Sequence, residues 1–236
     1  MRKLKISKKK RWFNNLVLVV LNTLVLRIIF PTTAVGVALL CNDYGLGLLN
    51  ILDMPLWSKI IIAFLVLDFA IYTQHVLFHY LPLLWRFHKV HHVDLDYDVT
   101  TGLRFHPVEI ILSMLIKFTV ICFIGAPVLA VIIFEITLNG LALFNHGNIR
   151  LFRKLDNFLR FFIVTPNVHM VHHSTILSET NSNFGFNLVF WDKLLGTYKK
   201  QPKKNYKSMD IGLDQYKDSN ITQNLKNMLK IPFLKN

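Results

Sequence analysis

The chain has 236 residues, of which 53% are hydrophobic, with a mean hydropathy of +0.39 and a formal net charge of +13. So apolar a composition excludes an ordinary soluble domain and directs attention to membrane spans. The positive charge collects at the two ends, with seven Lys/Arg and no acid in residues 1–11 and nine Lys against three Asp in residues 199–235. Aromatic residues sit in the apolar runs and not among these lysines, which argues against a nucleic-acid partner and for a positive-inside pattern against anionic headgroups.

In chain order, the first apolar segment covers about residues 16–40, with Pro31 as a kink or break. Asn22 and Arg27 interrupt it and no small-x-small cleavage signal follows, so a retained span is expected and not a cleaved leader. The loop NDYGLGLLNILDMP carries Asp43 and Asp53 and no basic residue. A second span, about 59–81, ends in QHVLFHY. After a polar interval, residues 107–146 are almost continuously apolar, and forty helical residues would reach about 60 Å, twice a hydrocarbon core. Gly125-Ala126-Pro127 supplies a turn, dividing the stretch into spans at 107–124 and 127–146. The segment RLFRKLDNFLRFFIV mixes basic and apolar positions and reads as an interfacial helix. The expected fold is an all-α integral membrane protein of one domain and four spans. Residues 82–106 and 147–198 form a cytosolic cap, and 199–236 a basic tail. Cys41 and Cys122 fall near the outer face, where two small buried hydrophobes are expected before a disulfide. Without a Cys-x-x-Cys, an iron–sulfur centre built from this chain is excluded.

All ten histidines lie between His75 and His173, eight of them in the clusters His75-x-x-x-His79, His88-x-x-His91-His92 and His169-x-x-His172-His173. Two H-x-x-H-H strings arise by chance in roughly 0.0002 of such chains, so the pattern calls for a chemical reason. Imidazole is largely deprotonated near neutral pH and offers a lone pair to a metal. Residues at i, i+3 and i+4 share a helical face, so each triad is expected to bring three rings to one side of a turn. Four ligands saturate one zinc, and this many candidates suit two ions of four or five nitrogens each. His106 and His146, taken singly, read equally well as hydrogen-bonded structural residues. With the spans as placed, every histidine arrives at one membrane face.

Asp68 lies two and three turns before His75 and His79, and Glu135 and Asn139 stand in the same relation to His146. Metal-bound imidazoles give their second N–H to such partners, so these three are expected to hydrogen-bond the ligands or to bridge neighbouring helices. Asn145, Asn148 and Asn183 read equally as neighbours of the site and as turn or cap residues.

The order of the clusters, together with LWRFHKVHH, DVTTGLRFHPVE, FNHGNIR, TPNVHMVHH and NSNFGFNLVFWDKLLGTY, resembles the fatty acid hydroxylase/sterol desaturase superfamily of membrane di-iron oxygenases, bacterial sterol-desaturase-type branch, over about residues 60–198. One position departs from the pattern, with Val76 where an Arg commonly follows the first histidine. The resemblance implies two iron ions held by His75, His79, His88, His91, His92, His106, His146, His169, His172 and His173. It also implies O2 as co-substrate, and hydroxylation or desaturation of a lipid C–H bond at the inner face of a bacterial cell membrane. No haem-binding His-Pro-Gly-Gly string or Gly-rich nucleotide loop is present, so an external ferredoxin- or cytochrome-like electron donor is expected. Lys199, Lys200, Lys203 and Lys204 read first as headgroup contacts and second as a dock for an acidic donor. The competing reading is a zinc-dependent membrane hydrolase using the same histidines to activate water.

Overall fold

A computed structural model describes residues 2–234, and among them the regular structure is helical, with two isolated β-bridges and no strand. The first apolar segment is two helices. α1 (Lys8–Ile29) stops at Phe30, ahead of Pro31, and α2 (Ala34–Asp43) restarts with the Thr33 side chain accepting the Gly36 N–H. After the short α3 (Leu48–Ile51) come α4 (Leu56–Tyr80), α5 (Pro82–His92), α6 (Pro107–Ile124) and α7 (Val128–Asn145), then the short helices α8 (Arg153–Leu159), α9 (Pro166–His172), α10 (Leu177–Thr180) and α11 (Phe190–Leu194). Four segments are long and apolar enough to cross a membrane: one within Lys8–Ile51, then Leu56–Tyr80, Pro107–Ile124 and Val128–Asn145. Phe123, Ile136, Leu65 and Ile28 stand exposed on their outer surfaces, as helices solvated by lipid require.

The core between α2, α4, α6 and α7 is built on small residues, with Ala38, Ala63 and Ala130 fully buried against Leu67, Ile121 and Phe134. Small side chains let the helix backbones approach closely, which replaces the hydrophobic drive that lipid cannot supply. At the end away from the histidines, Gly125 caps α6 at φ +63° and meets Gly47 at φ +93°. A Cβ on Gly47 would lie 2.1 Å from the Gly125 nitrogen, so the two loops touch only because both lack side chains. Cys41 and Cys122 sit nearby as free thiols with sulfurs 3.3 Å apart.

At the other end the cap is tighter than its charge suggests. The N-terminal basic stretch was expected at headgroups, but Arg11 is fully buried and forks onto Asp94 (2.7 Å) and Asp98 (2.6 Å), while the Lys5 and Ile6 amides bind Asp96. Burial raises the Asp94 carboxyl, yet the guanidiniums of Arg11 and Arg104 outweigh it and hold it below the usual carboxylate range. Residues 199–234, read as a basic tail, also pack onto the cap. α12 (Ser219–Thr222), α13 (Leu225–Lys230) and the turn Ile231–Phe233 bury Met228 and Ile231 against Leu18 and Val90. Arg11→Met leaves Asp98 without its cation and Asp94 with Arg104 alone, at 3.8 Å, and a loss of about 3–5 kcal/mol is expected, read as a fall in melting temperature in detergent.

Candidate metal centre

Four pieces of chain deliver the histidines to one end of the helices. α4 carries His75 and His79 on its last two turns, α5 carries His88, His91 and His92, and α7 ends at His146. A further short helix, α9 (Pro166–His172), carries His169 and His172 and is followed by His173. Proline occupies the first turn of α5, α6 and α9, where its missing N–H costs no helical bond, so each start is fixed next to the histidines.

Nine rings come together in two adjacent buried groups: His75, His79, His88, His92 and His172 in one, and His91, His146, His169 and His173 in the other. In each group one nitrogen per ring lies within 4.8 Å of all the others. The H-x-x-H-H triads do not act as units. His88 and His92 turn to the first group and His91 to the second, whereas His169 and His173 turn to the second and His172 to the first. Adjacent residues on a helix diverge by about 100°, so an i, i+4 pair shares a face and the residue beside it points to the neighbouring group.

The donor atoms fit metal ions. His75 Nδ1 meets Phe184 O at 2.7 Å, His172 Nδ1 meets Ser182 O at 2.8 Å, and His146 Nδ1 meets Ala142 O at 2.7 Å. A carbonyl accepts only from a protonated nitrogen, so these contacts place the lone pair on Nε2. The freed Nε2 atoms then crowd together: His75 to His88 at 3.2 Å, His92 to His88 at 3.2 Å, His146 to His91 at 3.3 Å and His169 to His146 at 3.1 Å. Ligand nitrogens about 2.0–2.1 Å from a tetrahedral ion lie about 3.3 Å apart, so the spacing is that of a coordination shell. His79 Nε2, His172 Nε2 and both nitrogens of His173 are buried without a hydrogen-bond partner. Burial, reinforced by neighbouring imidazoles, pushes His91, His92, His169, His172 and His173 well below the usual imidazole range. The rings are therefore neutral at pH 7 and need shed no proton to bind a cation.

Several expected neighbours lie elsewhere. His106 joins neither group. Its Nδ1 accepts the Val108 N–H as the cap of α6, and its ring packs on Phe87 and Phe233. Asp68 touches no imidazole and accepts the Trp191 indole N–H at 2.8 Å, tying α4 to α11 (Phe190–Leu194). Glu135 pairs with Lys117 across the space between α6 and α7 at 2.7 Å, and Asn139 donates to the Glu135 carbonyl. Asp68, Glu135 and Asn139 bond no imidazole, because helical spacing fixes a face but not which neighbour that face meets, and Glu135 and Asn139 instead line the cavity between the helices that reaches His75 and His88. Asn145 is buried at the end of α7, donating to Phe186 O and accepting from the Tyr97 hydroxyl through its own carbonyl. Asn148 pairs with Arg2, and Asn183, at φ +54°, ties its loop to Val168 and Lys199. Asp68→Asn keeps an acceptor for Trp191, and the expected result is a metal content equal to that of the parent, measured on purified protein.

The residue that sequence reasoning missed is Glu109. Buried on the first turn of α6, its Oε1 meets His88 Nδ1 at 2.6 Å and is the carboxylate partner of an imidazole in the larger group. Its place three residues after His106 and directly after Pro107-Val108 was the available signal. The segment 181–184 encloses the same group, with Asn181 on His79 and the Ser182 and Phe184 carbonyls on His172 and His75. Asp192 holds that segment by accepting the Phe184 and Gly185 amides.

A cavity of about 280 Å³ opens from this wall into the helices, lined at one end by His75, His88 and Glu109 and elsewhere by Leu26, Ile71, Phe78 and Leu138. It reaches Lys117, about 12 Å from Glu109 along α6.

The fatty acid hydroxylase profile matches residues 60–197, the stretch holding both histidine groups, Glu109 and segment 181–184. The chain belongs to the fatty acid hydroxylase family. It is 32% identical over 160 residues to an ornithine lipid hydroxylase of Rhizobium tropici, covering 67% of this chain and 46% of that one. It is 28% identical over 147 residues to the alkylglycerol monooxygenase of Homo sapiens, covering 60% and 31%. Against the cholesterol 25-hydroxylase of Rattus norvegicus it is 25% identical over 148 residues, covering 62% and 49%. The chain thus spans less than half the length of these relatives. No solved structure matches it.

Proposed function

We propose that the protein is a membrane-bound, O2-dependent lipid hydroxylase with two iron ions, one in each histidine group. The observation that carries this reading is a mainly apolar cavity among membrane helices, whose inner wall is made of His75, His88 and Glu109 and which also holds the Lys117–Glu135 pair. Similarity to lipid hydroxylases and monooxygenases supports the same chemistry. The nine grouped histidines would hold the ions, and His106 would act as a helix cap. When bound, the ions supply the activation of dioxygen and the oxidation of an unactivated C–H bond. The chain's own part is positional. Carbonyls at Phe184, Ser182 and Ala142 aim three Nε2 lone pairs inward, and Glu109 orients His88. The lipid chain lies along Ile71, Phe78 and Leu138 with its target carbon beside His75 and His88, in a site that excludes bulk water. The two basic ends lie on the cap side, which supports a cap facing the cytoplasm under the positive-inside rule. Electrons come from a separate donor.

Mass spectra of total lipids from cells with and without the gene test the reading. One lipid class gaining sixteen mass units in a chain-dependent way is expected. A loss of two units shows desaturation, and no lipid change together with full activity of a zinc-loaded protein in a hydrolytic assay overturns the proposal.

A further inference from the structure

A second cavity, of about 460 Å³, lies on the cap, and its chemistry is opposite to that of the first. Arg2, Arg150, Arg153, Arg160 and Lys207 line it against a single carboxylate, Asp156. That carboxylate is committed to Arg160 at 2.6 Å, Thr165 and Asn167, so the cavity as a whole is strongly positive.

The helix α8 (Arg153–Leu159) and the turn after it decide which way the cavity faces. Arg153, Asp156, Asn157 and Arg160 occupy one side of this segment and line the cavity. Leu155 and Phe158 project from the opposite side, and with Phe161 and Phe162 they form an exposed apolar strip. Such a strip belongs in the membrane interface. The cavity behind it then opens away from the bilayer, toward soluble partners and not toward headgroups.

Its floor leads to the metal centre. Met170, which follows His169, lines the cavity and packs in a buried cluster with Tyr97. The Tyr97 ring stacks on His146 with centroids 5.6 Å apart and meets His173 at 5.1 Å. Two side chains, Met170 and Tyr97, thus lie between a positive, outward-facing cavity and the four-histidine group. None of Lys199, Lys200, Lys203 and Lys204 lines this cavity, and Lys199 donates to Ser178 O while Lys204 pairs with Asp210.

We propose that this cavity is the docking site of an acidic, soluble one-electron carrier protein, which passes electrons through the Met170–Tyr97 floor to the smaller histidine group. The inference rests on the oxygenase reading, since hydroxylation with O2 needs two electrons that no group in this chain stores. Each carrier gives one electron and leaves oxidised, and two visits, with two protons from water, balance the transfer of one oxygen atom of O2 to the C–H bond and the release of the other as water. A partner carboxylate enters among the arginines while the rim of Arg150 and Arg153 steers the encounter.

The test uses the full chain in neutral nanodiscs with an acidic [2Fe–2S] ferredoxin as probe. Measured are the ferredoxin Kd at low and high salt and the product of a single turnover after anaerobic chemical reduction and admission of O2. Arg150→Glu with Arg153→Glu should weaken ferredoxin binding at least tenfold at low salt and flatten its salt dependence. The chemically reduced single turnover should stay unchanged. Equal binding by parent and variant overturns the proposal, as does a loss confined to stabilisation by anionic-lipid nanodiscs, which assigns the cavity to headgroups. If the parent binds ferredoxin but gives no product after chemical reduction, the oxygenase reading fails and the docking site stands.

Discussion

Substituting His172 by Ala is expected to lower metal content and activity together. The ring is fully buried, its Nδ1 is held by Ser182 O at 2.8 Å, and its Nε2 has no hydrogen-bond partner. A bound cation would satisfy that nitrogen, and an unpaired polar atom in the interior costs about 1–3 kcal/mol. Removing one ligand from a group of five leaves His75, His79, His88 and His92, so partial metal retention there is expected. Removing His173 from the group of four leaves three and should empty it more completely. Metal per chain by elemental analysis and hydroxylated lipid by mass spectrometry give the two readouts, with helical circular dichroism reporting folding. Full metal content in both variants would exclude these rings as ligands.

Glu109→Ala should cost about 10–100-fold in metal affinity or activity, the range seen when the hydrogen-bond partner of a metal-bound histidine is removed. The mechanism is orientation. The carboxylate 2.6 Å from His88 Nδ1 fixes the ring and the tautomer, and so directs the Nε2 that lies 3.2 Å from both His75 and His92. Glu109→Gln keeps an acceptor for Nδ1–H but loses the charge that makes the imidazole a stronger donor to metal. It should recover most of the metal content and less of the turnover. A purely structural role predicts instead that the alanine variant melts lower while its metal affinity is unchanged, so titration with ferrous iron monitored by absorbance separates the two.

Much of this protein could be read from its residues. Runs of apolar residues of spanning length determined the membrane helices, because a bilayer leaves backbone groups no partner except one another. The clustering of histidines between residues 75 and 173 pointed to a metal site, and the flanking strings identified the family. Other features depend on which surfaces meet. Asp68, Glu135 and Asn139 sit at helical distances from histidines, yet they serve Trp191, Lys117 and their own helix, since periodicity places a residue on a face without choosing its neighbour. Arg11 looked like a headgroup contact and proved to be the buried partner of Asp94 and Asp98, a pairing across more than eighty residues that no local pattern encodes.

The histidine triads show the division most clearly. Their spacing determined, without any structure, that three rings arise from little more than one helical turn. Only the packing of α5 against α4 and α9 decided that His91 and His172 leave their triads for the opposite group, while His88 with His92 and His169 with His173 stay as pairs. The physical reason is geometric. One turn offers two directions about 100° apart, and two adjacent groups of donors are the arrangement that uses both.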